Sequence, residues 1–280
     1  MRDIAAQDIS AAVAAALVGA CVDLPADVES AIRDLRAREP DALAQDTLDT
    51  ILRNADIARA RHLPLCQDTG VATAFVELGA EVHITGGLLP DAVNEGIRRG
   101  SRDGFLRRSI VADPLQRVNT NDNAPGTLYV LPVPGEELRI SIAPKGAGCE
   151  NMSRSAMLKP GDGAGGIERF VVDTVKLANG NPCPPIVAGV GIGGDFAMCA
   201  VLAKKALLRT VGERHPEPLY AGLERTLLAA LNASGVGPMG FGGHATAIDV
   251  FIEKAPCHIA SLPVAVCINC HAARHKTIVL

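Results

Sequence analysis

The chain has 280 residues, enough for a full hydrophobic core as one large domain or two small ones, and its net charge of -4 with no long basic run excludes an electrostatic footprint for nucleic acid. Aromatic residues make up only 3% and Trp is absent, so a base-stacking platform is excluded and the core has to be built from Ala, Val, Leu and Ile. Eight irregularly spaced cysteines in a chain with an adequate core read as free thiols of a reducing, cytoplasmic setting, not as a disulfide framework.

In chain order, residues 8 to 20 and 26 to 38 read as helices separated by a turn at Leu24-Pro25. A third helix over 41 to 61 repeats Leu43, Leu48, Ile51, Leu52, Ala55 and Ile57 at close to helical period. Within the first, AAVAAALVGAC has the look of an export signal's apolar part, but Asp3 and Asp8 stand where positive charge is needed, so it reads as an alanine-rich amphipathic helix. No stretch reads as long and apolar enough to cross a membrane. Segments 71 to 76 and 81 to 85 are strand candidates, and 90 to 99 reads as a helix opening with Pro90 and closing before Gly100. The run 113 to 126, full of Asn, Asp, Pro and Gly, is a loop, and 127 to 133 and 137 to 143 around a Pro-Gly turn read as a β-hairpin.

Downstream, a glycine loop at 161 to 166 precedes a helix over 167 to 178, and 186 to 192 is a buried strand followed by a helix near 196 to 208. A helix over 219 to 232, a glycine-rich segment at 235 to 243 and strands at 245 to 253 and 263 to 268 complete the chain. Helices mixed irregularly with short strands indicate an α+β domain or an irregular α/β one.

The stretch LPLCQDTG places Cys66, Gln67 and Asp68 side by side on a loop shaped by Pro64 and Gly70. Cys183 in NPCPP and Cys270 in INCHAARH have similar turn-forming neighbours and are far from Cys66 and from each other in sequence. Zinc sites take ligands in close pairs because one turn delivers two, and this spacing lacks such pairs. Three isolated cysteines meeting from three loops fit an iron-sulfur cluster with one iron free of protein ligands, which lets the cluster act as a Lewis acid.

GVGIGG, 189 to 194, fits the dinucleotide-binding glycine pattern, but the acidic residue that should hold the ribose falls at Glu213 with no strand before it. Its glycines are expected to let backbone approach a substrate or cluster. Cys267 and Cys270 form a C-x-x-C without a second pair. Cys267 in an apolar run reads as core, as do Cys21 and Cys199 on apolar helices.

LPLCQDTG, LRRSIVADPL, NTNDN, PKGAGCENMS, NPCPPIVAGVGIGGDF and HIASLPVAVCINCHAARH occur in this order. Together they resemble, over nearly the whole chain, the alpha subunit of the two-subunit, iron-sulfur (class I) fumarate hydratases. The resemblance implies one α+β domain of the iron-sulfur hydro-lyase alpha type over 1 to 280, an irregular mix of helices and short strands with a helical N-terminal part at 1 to 62. It implies a [4Fe-4S] cluster on Cys66, Cys183 and Cys270, substrate contact by Gln67, proton transfer by Asp68, and an active-site histidine at His258. Arg107 in FLRRS matches the family's arginine for a substrate carboxylate, a task suited to the planar guanidinium fork, with Arg108 the competing assignment. Gly146 and Gly148 match the K-G-x-G loop, whose backbone amides form a nest for a carboxylate oxygen. Cys149, Cys257 and Cys267 stand where the family commonly has Ser, Thr and Asn, which makes them poor ligand candidates. His271 and His275 are candidates for partners behind the ligands.

The implied reaction is reversible hydration of fumarate to (S)-malate, through an aci-carboxylate whose charge must be held while an acid and a base move protons on opposite faces. No clear second proton-transfer group is visible, and the family places it in a C-terminal domain or beta subunit outside this chain. Expected partners are that beta subunit, in an α2β2 assembly, and a small dicarboxylate; neither nucleic acid nor membrane is expected. Rival readings are the alpha subunit of an L-tartrate dehydratase and a non-catalytic subunit whose cluster is structural or oxygen-sensing.

Overall fold

A computed structural model describes residues 1–280. Its elements are β1 (Arg2–Ala5), α1 (Ala6–Val22), α2 (Ala26–Arg38), α3 (Ala42–Arg61), β2 (Val71–Gly79), β3 (Val82–Thr85), α4 (Leu89–Asp103), β4 (Thr127–Val133), β5 (Leu138–Lys145) and α5 (Ala147–Glu150). These are followed by β6 (Arg154–Leu158), α6 (Gly163–Ala178), β7 (Ile186–Gly194), α7 (Met198–Ala206), α8 (Pro218–Asn232), β8 (Ala247–Cys257), β9 (Leu262–Asn269) and β10 (Lys276–Val279). The fold is α+β, with helices and short strands in several small sheets. The chain divides into two compact units: unit 1 is Met1–Pro25, Ala55–Ala147 and Arg274–Leu280, and unit 2 is Ala26–Asn54 and Gly148–Ala273.

Unit 1 holds a sheet of order β10-β5-β2-β4 and a separate parallel pair, β1-β3. Strand β2 runs parallel to β4 and antiparallel to β5. The two segments expected to form a hairpin, β4 and β5, therefore do not pair with each other. The Pro134-Gly135 turn goes round the end of β2: Gly79 N–H donates to the Glu137 carbonyl, Ala80 N–H to Val133 and Glu81 N–H to Gly135.

Helix α1 supplies fully buried Ile9, Val13 and Cys21 to the unit 1 core, beside Ala74, Ile140 and Ile142 of the sheet. The helix expected to stop before Gly100 runs on to Asp103. Gly96 and Gly100 are where α1 comes close: a Cβ on Gly96 would lie 2.6 Å from Val13 Cβ, and one on Gly100 would lie 2.9 Å from the Ala14 carbonyl. Small residues thus serve helix packing instead of ending the helix. The expectation that no stretch is apolar enough to cross a membrane also needs correction, because the helical run from Ala6 contains a window of sufficient length and hydropathy. Its apolar side chains are spent on the unit 1 core.

Unit 2 holds a sheet of order β6-β9-β7-β8, with β7 parallel to β8 and antiparallel to β9. Helix α7 packs on β7 and β9, and α8 packs on β8 and α6. Glycines of GVGIGG are consumed here: a Cβ on Gly189 would lie 2.1 Å from the Ala203 carbonyl and one on Gly191 would lie 1.9 Å from the Cys199 carbonyl. At Gly189 and Gly191 what is admitted is the backbone of α7, where a substrate or cluster was expected. Behind β8, buried Glu224 takes a 2.6 Å bond from Arg209 Nη1, and Arg214 Nη2 contacts both oxygens of buried Asp249 at 2.6 Å. This network ties the segment before α8 to the sheet.

Candidate active site

Strand register brings four predicted segments to one end of the unit 1 sheet. Val71, at the start of β2, pairs with Lys145 at the end of β5, so the C-Q-D-T-G turn and the K-G-A-G loop are adjacent. Lys276 of β10 pairs with Ile142, which sets Arg274 at the same end. Thr127 at the start of β4 pairs with Thr73, so the loop carrying Arg107 and Arg108 enters there too.

Asp68 ties these loops together. Its Oδ1 accepts the Gly70 N–H at 2.9 Å, and its Oδ2 accepts the Ala147 N–H at 2.7 Å. Its own N–H donates to Cys66 Sγ at 3.4 Å, and its carbonyl accepts Arg274 Nη2 at 2.9 Å. The turn depends on Gly70, which has φ +71 and whose Cβ position lies 1.8 Å from the Lys145 carbonyl, so no side chain fits there. Cys66 is half-buried and Gln67 exposed.

The N-T-N-D-N run explains how the arginine loop is held. Asn123 Nδ2 donates to the Arg107 carbonyl at 3.0 Å while its Oδ1 accepts the Ser109 N–H at 2.6 Å. Asn119 Nδ2 donates to the Arg108 carbonyl at 3.1 Å. Arg108 reaches Asn121 Oδ1 at 3.5 Å and lines a cavity of about 470 Å³ with Arg98 and Asp122. Arg107 is exposed, and its guanidinium makes no hydrogen bond or ion pair within the chain.

In unit 2, Val187 pairs with Asn269, so Cys183 before β7 and Cys270 after β9 lie at one end of that sheet. His271 joins the two loops: its Nδ1 and its backbone N–H lie 2.9 and 3.3 Å from the Cys183 carbonyl. Cys183 has φ +55, a left-handed conformation uncommon for a residue with a side chain. Asn269 Oδ1 accepts the Cys270 N–H at 3.1 Å and faces buried Cys149 Sγ at 3.8 Å. Gly148 has only the Asn181 carbonyl, at 3.5 Å, near its Cβ position.

His258 is not brought to Cys270. It lies on the turn between β8 and β9, at the far end of β9, so eight strand residues separate the two, a span of about 20 Å or more. Exposed His258 Nδ1 accepts the Ala260 N–H at 3.1 Å beside a largely apolar cavity of about 530 Å³. Cys267, Cys149, Cys21 and Cys199 are buried, and Cys257 is exposed with its thiol on the Ser261 carbonyl at 3.4 Å. Within either unit no three His, Cys, Asp or Glu side chains share metal-ligating spacing; Cys66 belongs to unit 1, and Cys183 and Cys270 belong to unit 2.

Arg274 lies inside the I-N-C-H-A-A-R-H motif, where the sequence assigns it no task. It is 2% exposed, and its Nε and Nη1 have no hydrogen-bond partner. Burial pushes the neighbouring Cys21 thiol up, the Arg274 guanidinium pulls it back, and the Cys66 sulfur adds to the rise.

The protein family described as fumarate hydratase (Fumerase) matches residues 10–279. A Methanocaldococcus jannaschii protein named putative L(+)-tartrate dehydratase subunit alpha is 43% identical over 261 residues, 91% of this chain and 91% of that one. The L(+)-tartrate dehydratase subunit alpha of Escherichia coli K12 is 31% identical over 261 residues, 92% of this chain and 86% of that one.

Proposed function

The chain belongs to the fumarate hydratase (Fumerase) family, and from that premise we propose that it is the alpha subunit of an iron-sulfur hydro-lyase interconverting fumarate and (S)-malate. The observation that carries the reading is the double attachment of Asp68, whose N–H is on Cys66 Sγ and whose carboxylate is on the glycine loop. A proton-transfer group is thereby held beside a metal-ligating thiol by backbone bonds that do not depend on substrate.

Cys66, Cys183 and Cys270 would hold a [4Fe-4S] cluster. The residues fit such a group: a backbone N–H already points at Cys66 Sγ, the three cysteines are half-buried, and buried Arg274, on the carbonyl of Asp68 two residues from Cys66, has two nitrogens without a partner. When bound, the cluster supplies Lewis-acid stabilisation of the charge that develops on the substrate's carboxylate end.

The chain's own residues do the rest. Arg107, exposed and uncommitted, clamps a substrate carboxylate with its two-pronged donor face. Each Asp68 oxygen accepts one N–H and keeps lone-pair capacity for the proton it moves at the carbon next to that carboxylate. Gln67 contacts substrate alongside. Gly146 and Gly148 flank Ala147, whose N–H is committed to Asp68, so this loop first orients the proton-transfer group. His258 assists Asp68 and, with the eight residues of β9 between it and Cys270 in its own chain, would reach the site from a second copy in an α2β2 assembly.

A beta subunit covers the site, excludes water and supplies the second proton-transfer group. The relatives' names favour a second reading in which the substrate is L-tartrate, one hydroxyl richer than malate. The two separate in an anaerobic assay of the chain with its beta subunit on both substrates: a higher kcat/KM for fumarate supports the first reading, and a higher value for L-tartrate replaces it with the second.

A further inference from the structure

We infer that Arg274 is a positioning residue of the site: it fixes the Cys66 to Asp68 turn through the Asp68 carbonyl and offers its remaining N–H groups to the anionic group that Cys66 helps to hold. The inference rests on the reading of Cys66 as a cluster ligand.

A guanidinium carries five N–H donors in a fixed fork. Arg274 Nη2 donates to the Asp68 carbonyl at 2.9 Å, while Nε and Nη1 have no hydrogen-bond partner and the side chain is 2% exposed. No carboxylate pairs with it. Burying a cation with neither water nor counter-charge is strongly unfavourable, so a fold that keeps one leaves it for an anion outside the chain's own set. Cys21 beside it is a fully buried thiol and adds no carboxylate. Cys66 and the sulfides of a cluster do: three thiolates on such a cluster make it net anionic, and its sulfurs accept N–H bonds. The same guanidinium thus anchors the peptide next to the ligand and faces the charge the ligand brings.

The arrangement separates two effects. In the metal-free protein Arg274 is an uncompensated buried charge, so replacing it with an apolar side chain of similar length should not lower stability. In the loaded protein the same replacement removes the counter-charge. The experiment takes the chain with its beta subunit, reconstituted anaerobically, as wild type, Arg274→Met, Arg274→Lys and Cys66→Ser. It measures melting of the metal-free protein, the rate of iron release to a chelator, and the cluster's midpoint potential. Arg274→Met is expected to melt at or above wild type without metal, to release iron about tenfold faster and to shift the potential negative, with Arg274→Lys in between. Iron release and potential unchanged in Arg274→Met overturn the inference, as does metal-free melting far below wild type in both Arg274 variants, which marks a purely structural residue. A wild type that takes up no cluster, or a Cys66→Ser protein that keeps one, instead overturns the reading of Cys66 and the inference with it.

Discussion

The Asp68 carboxylate accepts the Ala147 backbone N–H at 2.7 Å, so the candidate proton-transfer residue and the candidate substrate loop form one hydrogen-bonded unit. C-Q-D-T-G and K-G-A-G meet although about 75 residues of chain separate them: adjacent antiparallel strands deliver both loops to one place.

Asp68→Asn tests that unit. The amide keeps one acceptor oxygen but turns the other atom into a donor facing an N–H, so about 1–3 kcal/mol of stability is lost. Turnover falls by about 100-fold or more as the proton-transfer group disappears, while iron and sulfide content stays at the wild-type value. A variant that turns over at the wild-type rate removes Asp68 from proton transfer.

Single Ser substitutions of Cys66, Cys183 or Cys270 should abolish the anaerobic iron-sulfur absorbance, because three thiolates leave no spare ligand. Cys149→Ser, Cys257→Thr and Cys267→Asn should retain it. Loss in Cys149→Ser with retention in Cys183→Ser would show the ligand set to be wrong.

The separation of His258 from Cys270 along β9 makes a complementation experiment informative. Asp68→Asn and His258→Asn proteins should each be nearly inactive. Dissociated and reassembled together, they should regain about a quarter of wild-type activity, one working site in half of the randomly formed pairs. No recovery on mixing places His258 outside the partner copy's site.

Close packing of α1 on α4 predicts unequal effects of two glycine substitutions. Gly96→Ala forces a methyl against Val13 Cβ at 2.6 Å and should cost about 1–3 kcal/mol in urea unfolding. Gly222, on α8, has nothing within 4 Å of its Cβ position, so Gly222→Ala should stabilise by about 0.4–1 kcal/mol.

The sequence makes some of this legible and hides the rest for identifiable reasons. Helices α2, α3 and α8 follow the apolar period, alanine-rich α1 follows helix propensity, and the buried runs of β7 and β9 follow hydrophobicity, because all three signals are local. The partner of β5 is β2, more than fifty residues earlier, so a short Pro-Gly turn gave the wrong neighbour for β4. Gly100 looks like a helix stop until the facing helix is in view. The motifs around Cys66, Asp68 and Arg107 could be read as residues, but the hydrogen bonds from Asn123 to the arginine loop and from Arg274 to Asp68 exist only once distant strand ends are adjacent. His258 is the instructive case: its motif sits twelve residues before Cys270, and an extended strand converts that short separation into a long distance.

Whether this chain is the cluster-bearing subunit of a two-subunit hydro-lyase is decided by malate formation from fumarate by the anaerobically reconstituted chain, measured with and without a beta subunit alongside iron and sulfide content. A bound cluster is expected in both preparations and turnover only in the one containing the beta subunit; rapid malate formation by the 280-residue chain alone, with no second polypeptide present, would contradict that reading.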